Sequence, residues 1–96
     1  MINSNDLDTV KAMLDRETVL ALISHLGYSV NRNGMFKLRP EERTSSSSVD
    51  RNGKIKDFGS GWRGDIFDLL QDYYGLSFQE AFEYVATCLG VYHASA

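Results

Sequence analysis

Ser47-Ser48-Val49-Asp50-Arg51-Asn52-Gly53-Lys54-Ile55-Lys56-Asp57-Phe58 is the stretch whose reading decides the fold. Two short runs, Ser47-Ser48-Val49 and Lys54-Ile55-Lys56-Asp57-Phe58, flank Arg51-Asn52-Gly53. Asn-Gly is a strong hairpin signal because both residues tolerate positive φ. The same signal stands upstream, where Asn33-Gly34 separates Tyr28-Ser29-Val30 from Met35-Phe36-Lys37-Leu38. Pro40 to Ser46, with two acids and the start of a Thr-Ser run, reads as the loop joining the hairpins. Residues 28–63 are therefore expected to form a small antiparallel β-ribbon of two hairpins.

On both sides the period changes to helical. Asn5 or Asp6 can cap a short helix carrying Leu7, Val10, Met13 and Leu14. Asp15 caps a second, with Val19, Leu22, Ile23 and Leu26 on one face and Gly27 as its stop. Downstream, Asp65 caps a helix bearing Ile66, Phe67, Leu69, Leu70 and Tyr73, ended by Gly75. Ser77 and Glu80 have capping-box spacing ahead of Phe78, Ala81, Phe82, Val85 and Leu89, and Gly90 stops that helix. His25 falls beside its stripe and reads as a solvated helix residue. Cys88 lies next to its apolar face and reads as core filler. The fold class is α+β in a single domain, 1–96, with helices over 1–27 and 64–96 flanking the ribbon.

The chain has 96 residues, 43% of them hydrophobic and 24% charged, the composition of a globular domain. A lone cysteine cannot close an internal disulfide, so a cytoplasmic setting is the expectation. No run approaches the ~18 apolar residues of a membrane span, and Met1–Asp8 lacks a secretion pattern. The net charge of −3 conceals an asymmetry. Residues 1–31 carry −2, residues 32–63 carry +4 and residues 64–96 carry −5. A basic middle between acidic ends suggests an anionic partner at the middle.

From Phe36 to Val91 the order of features resembles the zinc-ribbon domain at the amino terminus of bacterial DNA primases. The stretches that carry the resemblance are Leu38-Arg39-Pro40 and Thr44-Ser45-Ser46-Ser47-Ser48-Val49, then Asp57-Phe58-Gly59-Ser60-Gly61-Trp62-Arg63-Gly64-Asp65-Ile66 and Gly75-Leu76-Ser77-Phe78-Gln79-Glu80-Ala81. Against that family the ligand positions are changed. Arg39 stands at the first cysteine, Glu42 at the histidine, and Asp57 and Ser60 at the Cys-x-x-Cys pair. Structural zinc wants thiolate and imidazole, and a guanidinium cannot ligate. The resemblance thus implies a zinc-ribbon-like fold that has kept its ribbon and lost its metal, with no cofactor. Zinc supplies ~10–16 kcal/mol in small zinc domains, so the helices must supply the balance here. Arg39 and Asp57 are expected to pair across the vacated site, with Ser60 hydrogen-bonding nearby.

In that family the domain helps a primase read template DNA and is not the polymerase. The resemblance implies a non-catalytic DNA-binding module of a replication system, from a phage, plasmid or other mobile element. The residues expected to bind nucleic acid are Arg32, Lys37, Arg43, Lys54, Lys56, Phe58, Trp62 and Arg63, with single-stranded DNA the favoured partner. The alternative is a module that docks on or inhibits a primase, polymerase or helicase protein through Asp72, Tyr74, Glu83 and Tyr84 of the acidic last third. An enzyme would rest on Asp65, Asp68 and Asp72 at helical spacing around Mg²⁺. Helix capping explains the first two better, so no catalytic residue is expected.

Overall fold

The computed structural model describes residues 4–38 and 45–91. Along the chain run α1 (Ser4–Met13), α2 (Arg16–His25), β1 (Ser47–Val49), β2 (Ile55–Asp57), β3 (Arg63–Gly64), α3 (Ile66–Tyr74) and α4 (Phe78–Leu89). The fold is α+β, a short antiparallel sheet flanked by helices at both ends.

Helix ends follow local chemistry. The Asp15 carboxylate accepts the Thr18 N–H to open α2. Reciprocal capping boxes, Asp65 with Asp68 and Ser77 with Glu80, open α3 and α4. Gly75 and Gly90 close those two helices in the left-handed conformation that favours glycine. The buried faces of all four helices meet the sheet in one core, with Val10, Ile23, Phe36, Ile55, Phe67, Leu69 and Phe82 among its members. Cys88 is not part of it. The α4 face that packs is Ala81, Phe82, Val85 and Ala86, and Cys88 turns outward, exposed.

The sheet has the order β1-β2-β3, and its third strand is a finding beyond the sequence reading. Ile55 pairs with Gly64 and Lys56 with Arg63. The Asn33-Gly34 turn forms, closed by the Asn31 N–H to the Met35 carbonyl, but its two arms do not pair with each other beyond it. Phe36 instead gives its N–H and carbonyl to Ser47 in a single bridge on the outer edge of β1. The arm following the turn thus takes β1 as its partner, because Phe36 is drawn fully into the core.

Arg16 ties both turns to the helical layer. Its Nε donates to the Val49 carbonyl at 3.1 Å and its Nη2 to the Asn33 carbonyl at 3.2 Å. Hydrogen bonds from a charged donor contribute about 1.5–3 kcal/mol when made and lost together with their geometry. Arg16→Ala is expected to lower stability by about 1–3 kcal/mol, read as a reduced urea midpoint at unchanged slope. A midpoint equal to that of the parent protein would show that the strap is idle.

Candidate nucleic-acid interface

The inward face of the sheet carries Ser47, Val49, Ile55 and Asp57, all buried, and the outward face carries Ser48, Lys56 and Arg63. Asp57 is a carboxylate only 2% exposed. Ser46 Oγ and Ser47 Oγ donate to its Oδ1 at 3.0 and 2.9 Å, and Ser60 Oγ donates to its Oδ2 at 2.6 Å. Burial pushes its pKa up, but the hydroxyls of Ser60, Ser47 and Ser46 and the Gly59 N–H outweigh burial and hold it below the usual carboxylate value. Two segments therefore meet at this carboxylate, the start of β1 and the turn after β2. The expected Ser60 contact is present. Arg39, and with it the expected Arg39–Asp57 pair, lies outside the described residues, as do Glu42 and Arg43.

The turn held by Asp57 presents the aromatic residues. Asp57 N–H donates to the Trp62 carbonyl and Gly61 N–H to the Asp57 carbonyl, both at 2.8 Å, so residues 58–61 form a tight loop between β2 and β3. Phe58 stands on that loop 71% exposed. Trp62 is half-buried; its indole Nε1 donates to Asp72 Oδ2 at 2.9 Å, and its ring meets Tyr73 edge-on with centroids 5.5 Å apart. Gly64 permits this approach. A Cβ there would stand 2.7 Å from the Asp68 Cβ and 3.0 Å from the Trp62 ring. Lys56, Asp57, Phe58, Gly61, Trp62 and Arg63 line one cleft of about 170 Å³.

Of the expected binding residues, four converge on this cleft: Lys56, Phe58, Trp62 and Arg63. Three are placed elsewhere. Lys54 turns toward the α3 cap, 3.9 Å from Asp65. Lys37 lines a separate hollow with Leu26, Tyr28 and Tyr74. Arg32 is exposed on the Asn31–Gly34 turn, whose arm reaches the sheet at β1 rather than at β3. Sequence reasoning names Asp72 and Tyr73 in other roles but misses their contacts with Trp62, because they come from α3 and share no local pattern with it.

Asp65, the N-cap of α3, and Asp68 and Asp72 within the helix are each engaged in structure. Asp65 and Asp68 cap each other's backbone and Asp72 holds the indole. Among the described residues no three His, Cys, Asp or Glu side chains group so as to hold a metal ion. On the acidic last third, Asp72 and Tyr74 are exposed while Glu83 and Tyr84 are half-buried, so that surface offers less than the sequence suggests. No helix among the described residues is long and apolar enough to cross a membrane. No protein-family model matches the chain, and no curated protein matches it significantly.

Proposed function

We propose that this chain is a non-catalytic module that binds single-stranded DNA on the cleft between β2 and β3, in a replication setting of the kind served by primase zinc ribbons. One observation carries the reading: Phe58, the most exposed large hydrophobic residue described, stands beside Lys56, Arg63 and Trp62 on a single cleft. An exposed ring beside cations suits an unpaired base and its phosphate, because stacking is indifferent to base identity and cations neutralise the backbone. A base stacked within a duplex has no free face to offer. The net charge of −3 and the acidic ends oppose strong binding, which makes the affinity modest and salt-sensitive.

Titration of labelled oligothymidylate and of a blunt duplex across a salt series is the experiment. The single strand is expected to bind more tightly, with the logarithm of affinity falling by about 0.7 per neutralised phosphate for each decade of salt. Phe58→Ala and Trp62→Ala are each expected to cost ~1–3 kcal/mol of binding. Equal affinity of both variants and the parent, with the fold intact, removes the aromatics from the site. Absence of binding to either nucleic acid leaves docking on a replication protein, through the acidic face of α3 and α4, as the reading to pursue.

A further inference from the structure

Lys56 and Arg63 face each other directly across β2 and β3 on the outward side of the sheet, and Ser48 stands opposite Lys56 on β1. Direct cross-strand neighbours have Cβ atoms about 4.5–5.5 Å apart, and like charges in that relation are destabilising. The acid nearest in sequence, Asp57, also lines the cleft, but its carboxylate belongs to the inward face of the sheet and accepts serine hydroxyls there. Among the described residues neither Lys56 nor Arg63 makes an ion pair. The two-residue strand β3 is thus paired through a register that sets two like charges, half-buried Lys56 and exposed Arg63, opposite each other.

We infer that the row Ser48–Lys56–Arg63 is a phosphate clamp, in which one phosphate group lies between the ammonium and the guanidinium with the Ser48 hydroxyl as a further donor. The inference deepens the proposed single-stranded DNA reading and rests on it for the source of that phosphate. A guanidinium offers planar paired donors and an ammonium a point charge, so the two together suit the tetrahedral oxygens of a phosphate or phosphodiester. An anion seated there removes the like-charge repulsion, so binding and folding are linked. Anything that binds the folded state alone raises the melting temperature. The clamp therefore has a signature that a solvated pair of cations lacks. Reversing one charge makes the free protein more stable and the binding weaker.

Lys56→Glu tests this, with Arg63→Glu as the second variant because each restores an opposite-charge cross-strand pair. Thermal unfolding of the full chain is followed in chloride and in inorganic phosphate at matched ionic strength, and oligothymidylate binding is titrated alongside. Without phosphate, either variant is expected to melt about 2–5 °C above the parent. Phosphate is expected to stabilise the parent but neither variant, and a parent unmoved by phosphate overturns the clamp. Oligothymidylate affinity of the variants is expected to fall several-fold with a shallower salt dependence. Variants that both melt at or below the parent temperature in chloride overturn the clamp. So do stabilised variants that bind oligothymidylate as tightly as the parent, which would leave DNA binding intact with its phosphate held elsewhere. A parent protein stabilised by phosphate through Lys56 and Arg63, yet silent toward oligothymidylate, supports the clamp and overturns nucleic acid as its source.

Discussion

Asp57→Ala is expected to lower the unfolding free energy by about 2–4 kcal/mol, a large share of the ~5–15 kcal/mol typical of a folded domain. Three hydroxyls converge on this buried carboxylate from two segments, and its loss leaves Ser46, Ser47 and Ser60 without the acceptor that gathers them. Asp57→Asn is expected to be nearly as damaging, since the amide presents donors where hydroxyls already donate. The pH dependence has a definite sign. The folded carboxyl titrates below its ordinary value, so its contribution is fully present above the unfolded pKa near ~3.9 and is lost as pH falls through the folded pKa. The stability gap between parent and Asp57→Asn should be constant through neutral pH and shrink below about pH 4. Urea denaturation across pH measures it, and a gap that widens on acidification contradicts the assignment.

Gly53→Ala is the second large effect, and it acts through the backbone. Gly53 adopts φ +80°, and a Cβ there would collide with the Leu14 carbonyl oxygen. A non-glycine residue at positive φ costs on the order of 1 kcal/mol, and the neighbour is main chain that cannot swing aside. The β1–β2 turn must therefore withdraw from the α1–α2 junction, where it packs against Val19. A loss of about 2–4 kcal/mol is expected in the urea midpoint. Gly61→Ala is the control. Gly61 has the same φ of +80° with nothing within 4 Å of its would-be Cβ, so it bears the conformational cost alone. Equal losses in the two variants would contradict the close approach at Leu14.

What could be read from sequence divides by range. Asp15, Asp65, Ser77 with Glu80, Gly75 and Gly90 mark helix ends through bonds within a few residues, and each stands where its pattern places it. The Asn52-Gly53 hairpin is equally local: the Asp50 carboxylate accepts the Asn52 and Lys54 N–H groups to close it. Arg63–Gly64 has no period of its own. It becomes a strand only because Ile55 and Lys56 pair with it, a contact that composition cannot announce. The arms around Asn33-Gly34 read as a ladder, but which strand Phe36 joins depends on core burial.

The candidate site shows the same division. Lys56, Phe58, Trp62 and Arg63 lie on one hairpin, so their interleaving of cations and rings survives folding. Lys54 has the same character in sequence and a different fate. It stands just before β2 and reaches the Asp65 cap instead. Ser46 and Ser47 look like part of a polar run until the pairing of Ser47 with Asp57 makes them ligands of a buried charge.

Trp62 is the chain's single tryptophan and lies in the proposed site, so its emission reports on that site alone. The most direct measurement follows Trp62 fluorescence in the parent protein, at low salt, as oligothymidylate is added. Base stacking beside the indole predicts saturable quenching with a dissociation constant on the order of 10⁻⁶–10⁻⁴ M, relieved by added salt and much weaker with a blunt duplex. Unchanged Trp62 emission through ~10⁻⁴ M oligothymidylate, in protein shown to be folded, would contradict the account.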